Sequence, residues 1–187
     1  MEEITNNPGL QHIAEKIFSY LSLIDLHQCL LVDESWSEVI DRNFLLRKCV
    51  EVGMVKRHGK KLILNGEGVE PYYGEGMEPY WNEIITADRV PLHWAVMKGL
   101  TEVVKILAPL ATTSLNQKIQ IIENDYVRLC SCGGYCGDYG DWVNPIEIAA
   151  EKGLIEIVET LANLDPDPNF GSVFIIASKN GYTDLVN

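Results

Sequence analysis

At 187 residues the chain has room for one small module and a short run of repeats, and its 27 Asp and Glu against 15 Lys and Arg leave a formal charge of −12. That balance argues against nucleic acid and anionic membranes as partners, because phosphate binding draws on clustered Lys and Arg. Five cysteines, an odd number, and no recognisable secretory leader make a reducing compartment, cytoplasmic or nuclear, the expectation; no apolar run reaches the roughly 18 residues of a bilayer span.

The first segment is helical by its period. Leu10, Ile13, Ala14, Ile17, Phe18 and Leu21 recur at three- and four-residue steps, which predicts a helix with a broad apolar stripe. Ser22 followed by Asp25 reads as an N-cap with an acidic first turn, so a second helix starts there. It runs through Leu23, Ile24, Leu26, Cys29, Leu30, Leu31 and Val32, apolar on more than one face. Trp36, Val39 and Ile40 supply a third short apolar segment. Three short helices hold more apolar surface than they can hide in one another, and the surplus face calls for a partner.

The spacing from Pro8 and Leu10 through Ile17-Phe18-Ser19-Tyr20-Leu21, Asp25-Leu26, Cys29, Val32 and Trp36 resembles an F-box over residues 7–50. The order Pro8-Gly9-Leu10 and the presence of Asp33 depart from the family pattern. The resemblance implies a three-helix module that docks on the linker subunit of SCF-type cullin–RING ubiquitin ligases. Pro8, Leu10, Ile13, Ile17, Leu21 and Leu26 then belong to the docking face, and Phe18, Val32 and Trp36 to the module's core.

Residues 51–89 carry repeated Gly, Pro and Glu and read as an irregular acidic connector, with Trp81 and Ile84-Ile85 as anchors. The basic run Lys56-Arg57-His58-Gly59-Lys60-Lys61 reads as a solvated turn.

From residue 90 the chain repeats itself. Pro91-Leu92-His93-Trp94-Ala95, then Gly99, Glu102, Val103, Val104 and Leu107, return as Pro145, Ala149, Gly153, Glu156, Ile157 and Val158, and again as Ala177 and Gly181. Each copy predicts a short helix, a glycine turning through positive φ and a second amphipathic helix. These copies resemble ankyrin repeats, which implies a helical solenoid over 90–187 that holds a protein target. Pro91, Leu92, His93, Ala95 and Gly99, Pro145, Ala149 and Gly153, and Ala177 and Gly181 fall on the motif. The family's histidine bonds backbone in the adjoining loop; the second copy has Glu147 in its place and the third has lost both proline and histidine, so less rigid copies are expected.

Fifty-four residues separate Gly99 from Gly153 and twenty-eight separate Gly153 from Gly181, against a usual ankyrin period of about 33. The first interval places an insertion at about 112–143. Gln120–Glu123 and Tyr126–Leu129 read as a hairpin turning at Asn124-Asp125. The last repeat is incomplete at Asn187, so the array is expected to continue in a longer protein. Cys130, Cys132 and Cys136 offer three thiols without an evident fourth ligand, and no metal or cofactor is assigned.

No glycine-rich phosphate loop, Gly-x-Ser-x-Gly or His-Glu-x-x-His is present, so no catalytic residue is named. The expected fold is all-α: an F-box, then a short ankyrin solenoid with an inserted hairpin-like loop. The expected function is a non-catalytic adaptor that bridges an unidentified protein substrate to the SCF linker subunit and, through it, a cullin. An ankyrin scaffold without ligase recruitment and a Cys-rich zinc module are the alternatives.

Overall fold

Three successive elements near the N-terminus start by one device, a short side chain accepting a backbone N–H at the head of a turn. Ser22 accepts from Asp25, Asp33 from Ser35 and Asp41 from Phe44. At the first, Asp25 returns the bond to the Ser22 backbone N–H and completes a capping box. The elements are α1 (Pro8–Ser19), α2 (Leu23–Val32), a 3-10 turn (Glu34–Glu38) and α3 (Arg42–Glu51). The computed structural model describes residues 8–59, 61–65, 84–86, 90–111, 115–122, 126–129, 142–165 and 170–185. Trp36, Val39 and Ile40 lie in and just after the 3-10 turn, so the third helix begins later than the apolar spacing marks.

Residues 51–89, expected to be irregular, contain regular structure. Gly53 turns the chain at φ 81° into an antiparallel hairpin of β1 (Val55–His58) and β2 (Lys61–Leu64). Val55 pairs with Leu64 and both are buried, so core burial at the open end sets the register, while Lys56, Arg57 and His58 stay exposed. Further on, β3 (Ile84–Thr86) joins a second sheet. Tyr72, Tyr73, Tyr80 and Trp81 lie outside the described residues.

The repeats follow as α4 (Pro91–Met97) and α5 (Thr101–Leu107), α6 (Pro145–Glu151) and α7 (Ile155–Ala162), and α8 (Phe170–Asn180) with a 3-10 turn at Thr183–Leu185. Gly99, Gly153 and Gly181 adopt φ of 67°, 68° and 75°, values open to glycine but strained for residues with a Cβ. In the insertion β4 (Ile119–Ile121) pairs with β5 (Tyr126–Leu129), overlapping the first segment read as a strand and coinciding with the second, while the expected turn at Asn124-Asp125 lies outside the described residues. The sheet is larger than a hairpin, however: β3 adds to β5 and β6 (Trp142–Val143) adds to β4, giving the antiparallel order β3-β5-β4-β6. The chain is mostly helical rather than wholly so.

One apolar core runs from Ala14 through the repeats to Val173. Helix α3 packs on α5, and β2 packs on the 3-10 turn Ala108–Leu110 that ends the first repeat. The N-terminal helices therefore sit directly against the array.

Candidate protein-binding surfaces

Helix α1 is sided. Ala14 and Phe18 point into the core, and the Phe18 ring lies 5.5 Å from that of Trp36 at a tilt of 50°. One position before each, Ile13 and Ile17 are 43% and 55% exposed, and Tyr20 is 78% exposed. In α2, Leu23 and Leu26 are buried while Ile24, Leu31 and Val32 face outward. Five large apolar side chains thus stand uncovered on two short helices, and Tyr20 adds a sixth just after α1. Burying a single such side chain yields about 1.5–3 kcal/mol, which makes the outer sides of these two helices the candidate binding surface of the module.

The residues expected to dock are divided by the structure. Ile13 and Ile17 are on the outer surface, Leu10 and Leu21 are half-buried, and the Pro8 side chain lies outside the described residues. Leu26 is corrected: it is fully buried beneath the surface it was expected to form. Of the expected core, Phe18 is buried and Trp36 is half-buried, with its indole Nε1 enclosed and without an acceptor among the described residues. Val32 is corrected in the opposite sense, standing 76% exposed at the last position of α2. Val32 follows the buried Leu23 by nine positions, two and a half helical turns, which puts it on the opposite side of α2.

The repeat motif residues meet their neighbours as follows. Leu92, His93 and Ala95 are fully buried in α4, behind Pro91, which supplies the fixed φ suited to a helix start. His93 Nε2 lies 2.8 Å from the Gln117 carbonyl, which only accepts, so the imidazole donates from Nε2 and Nδ1 is bare and without a partner among the described residues. Burial drives its pKa down to about 4, against a smaller upward pull from the Gln117 bond. This contact ties α4 to the foot of the inserted sheet. In the second copy Glu147 does different work. It accepts from the Asn144 backbone N–H at 3.0 Å while Asn144 Oδ1 accepts from the Glu147 N–H at 3.0 Å, a buried capping box before α6. Loss of the histidine is thus met by a different lock. Pro145 and Ala149 are buried beside it, and Ala177 is fully buried in α8.

Neighbouring copies are joined by more than apolar contact. Lys105 of α5 reaches Glu102 at 2.7 Å and Glu156 of α7 at 2.6 Å, and the hydrogen bonds to these two carboxylates raise its pKa. Asn180 Nδ2 donates to the Glu151 carbonyl at 3.4 Å, tying α8 to α6. On the far side of α8, Phe170, Phe174 and Ile175 are more than half exposed.

Neither described cysteine has a lowered thiol pKa. Burial pushes the Cys49 thiol up to about 11, and Cys29 is raised by partial burial and by Asp25. Cys130, Cys132 and Cys136 lie outside the described residues. No described helix is long and apolar enough to cross a membrane.

The ankyrin repeat family matches residues 88–117, which takes in α4, α5 and the Gln117 anchor of His93. No curated protein and no solved structure matches the chain. An ankyrin repeat is a protein-interaction module, and binding of a protein partner is the coarse function that this match carries.

Proposed function

We propose that the chain is a non-catalytic substrate-recognition adaptor of an SCF-type cullin–RING ubiquitin ligase. Its N-terminal helices dock on the linker subunit, and its ankyrin repeats hold a protein target. The reading rests on the exposed pair Ile13 and Ile17, which extend the F-box-like spacing into an apolar outer face over the buried pair Ala14 and Phe18. The mechanism is positional. Ubiquitin transfer is the work of other subunits, and the adaptor raises the effective concentration of target lysines near the charged carrier enzyme.

The test is co-purification of the full chain with the SCF linker subunit. Ile13→Asp with Ile17→Asp places charge in an apolar contact while leaving the buried side of α1 intact. The wild type is expected to bind and the double variant to lose binding with an unchanged circular dichroism spectrum. A wild type that fails to bind the linker sinks the ligase reading.

One observation favours a second reading. Helix α3 packs on α5 and shares its core, as a cap on a repeat array does. On that reading the chain is an ankyrin scaffold whose N-terminal helices close the first repeat and recruit no ligase. Removal of residues 1–50 then unfolds α4 and α5, and the intact chain ignores the linker.

A further inference from the structure

Charge is unevenly spread along this acidic chain. Residues 42–61 hold seven Lys or Arg against one carboxylate, Glu51, a net of +6, whereas residues 1–41 hold eight Asp or Glu against Lys16 alone, a net of −7, and residues 66–187 hold 18 Asp or Glu against seven Lys or Arg, a net of −11. The basic stretch contributes α3 to a groove of about 380 Å³ between α1 and α3. Lys16 and His12 line it from α1, and Arg47 and Lys48 from α3, over a floor that includes Phe44. The Arg47 guanidinium sits 5.7 Å from the Phe44 ring centre, which holds it above that floor.

Lys48 is the unusual member. It is only 8% exposed, yet its Nζ donates to just two groups, the Ser19 carbonyl at 2.7 Å and Glu51 Oε1 at 3.2 Å. An ammonium has three N–H donors, and among the described residues the third has no acceptor. Glu51 is itself mostly exposed, so water screens its charge while the lysine's charge is desolvated. Of the groove's two carboxylates, Glu15 is the one not bonded to Lys48.

We infer that the α1–α3 groove receives a carboxylate of an acidic segment of a protein partner. The volume suits one or two side chains, and the third Lys48 donor with the Arg47 fork supplies the hydrogen bonds that a carboxylate accepts. A long polyanion such as nucleic acid is disfavoured by the −7 of residues 1–41 and the −11 of residues 66–187, whereas a short segment meets only Lys16, Arg47 and Lys48 in the groove. The inference does not depend on ligase recruitment, because the groove is lined by α1 positions other than Ile13 and Ile17.

The experiment is an amide NMR titration of the full chain with a blocked tetraglutamate peptide at low and at physiological salt. Saturable shifts confined to residues 12–19 and 44–51 are expected, with affinity falling as salt rises. Arg47→Glu and Lys16→Glu, both at exposed positions, are each expected to weaken binding about tenfold or more, while Lys179→Glu on the remote α8 leaves it unchanged. Two charge reversals on different helices keep the result readable if one of them misfolds. Equal binding of a tetraglutamine peptide, shifts spread over every Lys and Arg, or full binding by the Arg47→Glu variant overturns the inference. Tighter binding of a duplex oligonucleotide at the same residues also overturns it, in favour of nucleic acid.

Discussion

The Tyr182 ring lies against Gly153, with its Cε1 at 2.7 Å from where a Cβ on that glycine would stand. One repeat earlier, Leu154 occupies the same relation to Gly99, at a looser 3.8 Å. The residue after each repeat glycine thus covers the glycine of the copy before it, and the two junctions differ in tightness. Gly153→Ala is expected to cost more than Gly99→Ala. Both bear the roughly 1–2 kcal/mol of left-handed strain, and only the first also displaces a ring. Thermal melts of the two variants check this. A double-mutant cycle of Gly153→Ala with Tyr182→Ala isolates the contact, and it is expected to show coupling that the Gly99 site with Leu154→Ala lacks.

The F-box resemblance assigns Leu26 and Val32 to environments opposite to those they occupy. Leu26→Ala empties a fully buried site and is expected to cost about 2–5 kcal/mol. Val32→Ser, at a position 76% exposed, is expected to stay within about 0.5 kcal/mol of the wild type. Urea unfolding followed by tryptophan fluorescence reads both. A larger loss in Val32→Ser than in Leu26→Ala would mean that α2 packs by its other side.

His93 makes the first repeat sensitive to acid. Its folded pKa of about 4 lies below the ordinary 6.5, so the unfolded chain takes up a proton that the folded chain refuses. The stabilisation is complete above about pH 6.5 and declines as pH falls towards 4, where the folded form also protonates. Two and a half pH units correspond to about 3 kcal/mol. Partial burial lowers the His27 pKa as well, against an opposing pull from Glu102, and so contributes in the same direction. The urea midpoint of the wild type is expected to drop between pH 6.5 and 4.5. Relative to it, a His93→Asn variant is expected to start lower at pH 7 and to lose less on acidification.

Lys105 is shared by two carboxylates on different repeats, so its removal leaves Glu102 and Glu156 facing each other unscreened. Because all three side chains are substantially exposed, Lys105→Met is expected to cost no more than about 1 kcal/mol, and less at high salt. Melting temperatures with and without added sodium chloride test the sign and the screening. A loss that salt leaves untouched would assign the role of Lys105 to its aliphatic stem.

Features set by local chemistry were legible without the fold. Ser22 with Asp25 encodes a cap within four residues. Gly99, Gly153 and Gly181 encode positive φ at single positions, and Pro91 and Pro145 encode helix starts. None of these depends on a distant partner, so the order of helices and the repeat could be read directly. The face of α2 that turns inward was not legible, because Ile24, Leu26, Leu30, Leu31 and Val32 are apolar on both sides of the helix. That choice was made by packing, as Leu26 joined the core shared with α3 and α5. Strands β3 and β6 are three and two residues long, too short for any alternation to register, and exist only because β5 and β4 offer them hydrogen-bonding edges. The α1–α3 groove is also tertiary. Lys48 reads as an ordinary helix-surface lysine until its ammonium is found on the Ser19 carbonyl, twenty-nine residues away in sequence and on another helix.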